Sequence, residues 1–222
     1  MQKLCLIKKN EDFPQIIINS IPAPELIHNK ISEQELSPYF KGLEELDAFG
    51  VDFIVIVCNT AHLFLNVFQS KIETPILNLR EEVKRVLMKE KIKSFLILGT
   101  PTTIKKGLYS FEKIKTIEPN EEEIKELSKA IFNFNKGIDK KEQTDKVRKI
   151  CKKYLDNGAE TVVLGCTEFA VMLHKEKIPK INTINVLVDA TISQVLKTKS
   201  PYYKNDKKRS RSHTIRSKGC VR

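Results

Sequence analysis

The chain has 222 residues, of which 41% are hydrophobic and 30% are charged, and its formal net charge is +11. This length and composition are typical of a globular protein with a core of its own and exclude a low-complexity or collagen-like chain. No apolar run approaches the roughly 18 residues of a membrane-spanning helix, and the first apolar stretch is too short for a signal peptide. We therefore expect a cytoplasmic protein.

The positive charge is concentrated at the carboxyl end. Residues 197–222 hold ten Lys and Arg against one Asp, a net charge of +9, which leaves about +2 for the rest. Such a tail, here residues 198–222, is typical of a disordered, solvated end. Nucleic-acid binding is expected only through this tail, if at all.

The five cysteines indicate a reduced compartment. Their number is odd, and none forms a Cys-x-x-Cys pair or a cluster with histidine at zinc spacing. We expect no metal site. Cysteines 5, 151 and 220 lack polar motifs around them, and His28, His174 and His213 are interpreted as surface residues.

Seven runs rich in β-branched residues lack polar alternation, which is typical of parallel strands covered on both faces. They lie at residues 15–19, 53–57, 75–79, 95–98, 114–117, 161–164 and 184–188. Helical patterns lie between them, at residues 32–49, 80–91, 120–135, 141–157 and 189–197. Asn120 with Glu123 three residues on predicts a helix start, and Gly50 and Gly158 predict helix ends. Alternation of strands and helices predicts an α/β fold with parallel sheets.

Two segments of the chain read alike, and each contains a cysteine near its end. The spacing from Gly50 to Cys58 equals that from Gly158 to Cys166, and both intervals contain an acidic residue and an apolar run. Residues 74–87 and 183–196 repeat a further strand and helix. We infer two pseudo-symmetric α/β halves with a cleft between them and one cysteine at the carboxyl end of a strand in each half.

The repeat also predicts the domain limits. The first α/β domain spans residues 1–91 and is completed by 189–197, and the second spans residues 92–188. The second half has a strand that ends in Gly99, 67 residues before Cys166, and the matching point before Cys58 would precede Met1. The first sheet is therefore expected to lack its opening strand, with an uncovered edge that lowers stability.

Two motifs, CNTAH at residues 58–62 and LGCTEF at residues 164–169, closely resemble the paired signatures of the aspartate/glutamate racemase family. Supporting matches are FPQIIIN at 13–19, LGT at 98–100 and NKG at 135–137. Glu168 stands where glutamate racemases usually carry histidine, which favours the aspartate racemase branch. The chain departs from the family in having no glycine-rich opening loop and no arginine before Arg80.

The resemblance implies a two-domain, often dimeric enzyme that inverts the α-carbon of an acidic amino acid without pyridoxal phosphate or another cofactor. It makes Cys58 and Cys166 the two acid/base residues. The residues that it assigns to substrate binding are Asn59, Thr60, Thr100, Lys136 and Thr167, with His62 and Glu168 as supporting residues.

The chemistry of such a reaction requires two groups on opposite faces of one carbon. The α-hydrogen is a very weak acid, so one thiolate must act as base while a thiol donates from the other face. Since both cysteines end a strand and precede a helical segment, backbone N–H groups are expected to favour the thiolate at either site.

Two other functions remain open at this point. One is a catalytically inactive descendant that acts as a binding protein, through its basic tail for example. The other is a related isomerase acting on hydantoins or maleate. Two cysteines favour reversible racemisation over decarboxylation, which needs only one proton donor.

Overall fold

The computed structural model describes residues 13–22, 24, 26 and 31–198. The basic tail, Cys5, Cys220, His28 and His213 lie outside the described residues. In chain order the elements are α1 (Glu33–Ala48), a 3₁₀ helix (Thr60–Phe64), α2 (Leu65–Gln69), α3 (Leu79–Lys89), β1 (Ser94–Gly99), α4 (Pro101–Lys105), β2 (Lys115–Ile117), α5 (Glu121–Asn135), α6 (Lys140–Asp156), β3 (Thr161–Gly165), α7 (Thr167–Met172), β4 (Lys180–Asn182) and α8 (Thr183–Thr198).

Strands β1 to β4 form one parallel sheet in the order β2-β1-β3-β4. The central pair, β1 and β3, runs in register from Phe95 opposite Thr161 to Gly99 opposite Gly165. The predicted α/β class with parallel strands is confirmed. The strands predicted at residues 95–98, 114–117 and 161–164 correspond to β1, β2 and β3 within one residue at each end.

Helices cover both faces of this sheet, as its unbroken apolar strands require. Side chains alternate along β1: Phe95 and Ile97 pack with Leu79 and Val83 of α3, whereas Leu96 and Leu98 pack in a separate cluster with α5, α6 and α7. Helices, sheet and helices thus form three layers, with one apolar cluster on each face of the sheet. Every residue of β3 is buried.

The first half of the chain contains much less strand pairing than predicted. Residues 53–57 and 75–79 meet at a single parallel bridge, Ile54 opposite Ile76, and no ladder involves residues 15–19 among those described. Ile16 and Ile18 are 76% and 85% exposed. Extended β-branched runs form strands only where a partner backbone is available on at least one side. This region is held together instead by a cluster of α1, α2 and neighbouring side chains around the fully buried Phe68.

The strand predicted at residues 184–188 is wrong, because these residues begin α8. The strand lies just upstream, in β4, whose pairing ends with Asn182 opposite Leu164. Since β3 stops at Gly165, the chain has no ladder to continue. Instead, the Asn182 side chain accepts a hydrogen bond from the backbone N–H of Ile184 (2.9 Å), and the helix starts there.

Local end signals that the sequence carries are confirmed. Asn120 caps α5, and its side chain and that of Glu123 bond each other's backbone N–H groups in a capping box. Gly50 and Gly158 follow α1 and α6 with φ of 71° and 97°, the left-handed region that favours glycine.

The chain divides into two compact units. Gln15–Thr191 contains the whole sheet and both cysteine motifs. The other unit combines the two chain ends, and its described part is residues 13–14 and 192–198, the latter forming the end of α8. The predicted boundary near residue 91 stays a prediction. Among the described residues, none of the helices has the length and apolar character needed to cross a bilayer.

Candidate functional site

The candidate site is built where β1 and β3 end side by side. Gly99 and Gly165 are the last paired residues of these strands, and Thr100 and Cys166 follow them directly. A Cβ atom at Gly165 would stand 2.8 Å from the Leu98 carbonyl oxygen and 3.3 Å from the ring of Tyr109. Glycine at this position therefore lets the loops pack closely at the carboxyl edge of the sheet, where parallel α/β sheets bind ligands.

Cys166 is buried at the start of α7, and its thiol donates to the carboxylate of Glu168, with Sγ 2.7 Å from Oε2. The same carboxylate accepts from the hydroxyl of Thr167 (2.8 Å) and from the side-chain amide of Asn135 (2.9 Å). Three donors on two elements thus orient Glu168 toward Cys166.

These contacts determine that Glu168, and not Cys166, carries the negative charge. Burial raises the pKa of Glu168, but the hydrogen bonds from Cys166, Asn135 and Thr167 outweigh it and hold the pKa below its usual value. Burial, together with the Glu168 charge, raises the pKa of Cys166 well above its usual value. At neutral pH the pair is therefore a carboxylate and a thiol.

Cys58 lies on the other loop, partly buried just before the 3₁₀ helix. Burial raises the pKa of its thiol, while the backbone N–H groups of Ala61 and Thr60 lower it, and the net direction is upward. Backbone N–H groups favour the thiolate at both cysteines, as expected, but they do not determine the net direction of either pKa. The N–H groups act in the predicted direction, but desolvation outweighs them.

The two cysteines belong to one electrostatic cluster. A negative charge on Cys58 raises the pKa of Cys166, and the charge of Glu168 raises the pKa of Cys58. Coupling of this kind requires proximity, since charge interactions decay with distance. Charges on one cysteine loop thus act on the thiol of the other, and the pairing of the two thiols across a substrate stays a prediction.

Three threonine hydroxyls connect the Cys58 loop to the end of β1. The Thr60 hydroxyl oxygen lies 3.1 Å from that of Thr100 and 2.9 Å from that of Thr103. Thr100 also caps α4, accepting from the backbone N–H of Thr103 (3.1 Å). Because hydroxyl groups both donate and accept, this triad can reorganise its hydrogens to meet an anionic ligand.

Asn59 carries a side-chain donor without a partner. The residue is 3% exposed, its Oδ1 accepts from the hydroxyl of Tyr109 at 2.5 Å, and its Nδ2 has no hydrogen-bond partner among the described residues. Buried amide groups are almost always paired. An unpaired donor beside Cys58 is therefore suited to an acceptor on a ligand, such as a carboxylate oxygen.

His62 is a neutral, structural neighbour of Cys58 in this state. Burial lowers its pKa to about 4. Its Nε2 lies 3.2 Å from the carbonyl oxygen of Ile56, so Nε2 carries the proton and donates. Its buried Nδ1 has no partner among the described residues. The ring thus braces the backbone two residues before Cys58.

Lys136, a predicted site residue, is not brought to this cluster by its described contact. It is exposed at the end of α5, and its ammonium group lies 4.2 Å from the centre of the Phe132 ring. Its neighbour Asn135 makes the contact with Glu168. The role of Lys136 stays a prediction.

Three residues of the cluster escaped the sequence analysis. Tyr109, Thr103 and Asn135 are separated from their partners by 50, 43 and 33 residues, and no local pattern pairs them. Asn135 belongs to the NKG motif, in which only Lys136 was assigned a role, and Thr103 lies three residues after the LGT motif. The interpretation of Cys151 as incidental agrees with its burial in the core, which raises its pKa to about 12, and His174 is exposed as expected.

Comparison with known proteins gives relatives that align along most of the chain. The broad specificity amino-acid racemase RacX of Bacillus subtilis is 26% identical over 204 residues, which cover 88% of each chain. The glutamate racemase of Aquifex pyrophilus is 31% identical over 137 residues, 59% of this chain. That alignment spans 51% of the enzyme, so the chain matches only about half the length of this relative.

Among solved structures, PH1733 of Pyrococcus horikoshii, an aspartate racemase homologue, superimposes with a TM-score of 0.69. The match covers 88% of this chain and 89% of that one at 22% identity, and it establishes the fold. The family model for Asp/Glu/hydantoin racemases matches residues 6–191, which include both cysteine motifs. The chain therefore belongs to the Asp/Glu/hydantoin racemase family.

Proposed function

We propose that this chain is a cofactor-independent amino-acid racemase in which Cys58 and Cys166 exchange protons with the two faces of the α-carbon. The observation that carries this proposal is that Tyr109 joins the two cysteine loops: its hydroxyl donates to Asn59, the residue after Cys58, and its ring lies against Gly165, the residue before Cys166. The buried Nδ2 of Asn59 has no partner among the described residues. Such a cluster offers a base, an acid and a hydrogen-bond donor for the substrate carboxylate within one site.

In one direction Cys58 acts as the base. Its thiolate takes the α-hydrogen as a proton, so that an S–H bond forms and the electron pair of the broken Cα–H bond spreads into the substrate carboxylate. Cys166 then gives its thiol proton to the opposite face, forming the new Cα–H bond and becoming a thiolate. The reverse reaction exchanges the two roles, and the total number of protons is unchanged.

Cys166 is prepared for the donor role. Its thiol already carries the proton because the neighbouring Glu168 carboxylate disfavours a second negative charge. When Cys166 must instead serve as base, Glu168 is within hydrogen-bond distance to take that proton. Glu168 therefore supports the change of role that a reversible enzyme requires.

Charge that develops on the substrate carboxylate needs donors that are stronger partners in the transition state than in the ground state. Asn59 Nδ2 and the hydroxyls of Thr60 and Thr100 are the candidates on the Cys58 side. A substrate ammonium group would also favour the thiolates by adding positive charge between them. The raised pKa values of Cys58 and Cys166 would then fall on substrate binding.

The substrate class includes acidic amino acids in this proposal, as the aspartate-type motif favours. The similarity to a broad specificity racemase over most of both chains supports testing neutral amino acids as well. The proposal also includes assembly of the chain as a homodimer, as the family resemblance implies.

Incubation in deuterated water tests the proposal. The full chain is mixed with the L forms of aspartate, glutamate and a panel of neutral amino acids. Mass spectrometry then follows α-deuterium, and chiral chromatography follows the D enantiomer. The expected result is deuterium incorporation with formation of the D form for at least one substrate. Neither product from any substrate would contradict the proposal and favour a binding protein.

A further inference from the structure

Tyr109 is a fully buried phenol that the family motifs of the chain do not include. It is 1% exposed, and its hydroxyl donates to Oδ1 of Asn59. Burial raises its pKa, so the phenol keeps its proton and remains a donor. The hydroxyl lies in the same electrostatic cluster as Cys58, whose charge affects it.

The turn that carries Tyr109 is anchored on both sides. The guanidinium of Arg80 donates to the carbonyl oxygens of Leu108 (2.8 Å) and Ser110 (2.7 Å). The hydroxyl of Thr116 donates to the carbonyl oxygen of Tyr109 itself (3.0 Å). The backbone on either side of Tyr109 is thus held to α3 and β2, and the phenol hydroxyl has a defined position.

The ring also packs against the strand that leads to the other cysteine. Its Cε2 lies 3.3 Å from where a Cβ of Gly165 would stand, and Cys166 is the next residue. Tyr109 therefore contacts the residue before one cysteine and hydrogen-bonds the residue after the other. It is a physical connection between the two loops.

A primary amide has one acceptor end and one donor end, and fixing the first determines where the second points. We propose that Tyr109 is a positioning residue, which holds Oδ1 of Asn59 so that the Nδ2 hydrogens face the substrate carboxylate. This inference rests on the proposed racemase function for its substrate. The orientation of the amide itself can be measured without turnover.

The kinetic test is a double-mutant cycle. Y109F removes only the hydroxyl, N59A removes the amide, and Y154F is the matched control, since it loses a phenol hydrogen bond to Glu123 on α5. We expect kcat/KM to fall about tenfold in Y109F, the equivalent of one buried hydrogen bond, and to be unchanged in Y154F. In the N59A background Y109F should cost nothing further.

Two outcomes of the cycle would overturn the inference. One is a Y109F enzyme with wild-type kinetics. The other is an equal loss from Y109F with and without Asn59, because a tyrosine that only supports the fold would act independently of the amide. N59D keeps an acceptor for Tyr109 but has no donor, so it should lose as much activity as N59A. Wild-type activity in N59D would also contradict the inference.

Nuclear magnetic resonance separates this inference from the proposed function. The side-chain amide signals of Asn59 are identified in the ¹⁵N spectrum of the full chain by their loss in N59A. Y109F should shift these signals, whereas Y154F should leave them in place. If the wild-type chain inverts no amino acid and the shift is still seen, the racemase proposal fails and the positioning role stands. Unchanged signals in Y109F would overturn the positioning role whatever the activity.

Discussion

The two cysteine loops occupy equivalent places in the repeat but differ in their surroundings. Cys166 follows β3, a strand that is buried along its length and paired on both sides. Cys58 follows a segment that pairs at one bridge, and the preceding Val57 is 63% exposed. Backbone N–H groups act on both thiols, but among the described residues only Cys166 has a carboxylate hydrogen-bond partner.

This difference assigns complementary tendencies to two chemically identical groups. An anionic neighbour makes Cys166 retain its proton, and backbone donors partly offset the burial of Cys58. The pKa of both thiols is raised, and more strongly at Cys166, so the two sites differ in how firmly each thiol keeps its proton. The asymmetry between the loops is therefore as informative as their similarity.

The largest effect on the inversion rate is expected from removing either thiol. C58A and C166A should each lower the rate of inversion by about 10² to 10⁴, the usual contribution of a positioned acid or base. Chiral chromatography measures the rate. C151A is the matched control, because Cys151 is buried in the core and should leave inversion unchanged. A single mutant that keeps full turnover in both directions would contradict the two-base mechanism.

Glu168→Gln should make the two loops more alike. Removing the charge and the ionic acceptor lowers the pKa of Cys166, since both raise it. Alkylation of Cys166 by iodoacetamide, followed by peptide mass spectrometry, should therefore begin at lower pH than in the wild type. Inversion should slow by about tenfold, the equivalent of one charge-assisted hydrogen bond.

The control for this variant is Glu123→Gln, which removes a carboxylate with a lowered pKa on the outer helix α5. It should leave the Cys166 alkylation profile unchanged. An identical profile for Glu168→Gln and the wild type would mean that Glu168 does not govern the Cys166 thiol.

A third experiment compares the residues that precede the cysteines. Gly165→Ala would put a Cβ 2.8 Å from a backbone carbonyl oxygen, and it should lower the free energy of unfolding by about 1–3 kcal/mol. Val57 precedes Cys58 as Gly165 precedes Cys166, but it is exposed. Val57→Ala should therefore change the free energy of unfolding by less than about 0.5 kcal/mol. Urea unfolding followed by circular dichroism measures both. Equal effects would show that the two strand ends are packed alike.

The smallest expected effect concerns the first half alone. The Asp47 carboxylate accepts from the backbone N–H of Thr74 at 2.8 Å, and the hydrogen bonds to Thr74 lower its pKa. A lowered folded-state pKa stabilises the protein above the unfolded-state pKa, and this contribution is lost as the pH falls through the folded-state pKa. Asp47→Asn should thus cost at most about 1 kcal/mol at pH 7, because the residue is only partly buried and solvent screens its charge.

At a pH below the folded-state pKa of Asp47, the wild type and Asp47→Asn should unfold at nearly the same urea concentration. A stability difference that is equal at neutral and acidic pH would mean that the charge of Asp47 is not involved.

The patterns that depend on short-range chemistry were predictable. The capping box at Asn120, the glycines that close α1 and α6, and the buried runs of β1 and β3 all follow from neighbouring residues, and all are confirmed. The strand predicted at residues 184–188 failed because an apolar, β-branched run suits a buried helix face as well as a strand. Only the length of β3 decided between them.

The candidate site also has a part that the sequence predicts and a part that it does not. The repeat predicts that the two thiols lie together, and the asparagine and threonines adjoining them come with the motifs. The partners Tyr109, Thr103 and Asn135 could not be predicted, since their contacts join residues 33 to 50 positions apart. The net direction of the thiol pKa values could not be predicted, because burial is not visible in a motif.

By itself the sequence determined the α/β class, the duplicated cysteine motifs and the family to which they belong, because these depend on periodicity and spacing along the chain. Only the tertiary structure decided which loop received a carboxylate, which amide was left with an unpaired donor, and how far the first-half strands could pair. Desolvation, charge proximity and hydrogen bonding across the fold are properties of positions in space, and residues distant in the chain create them.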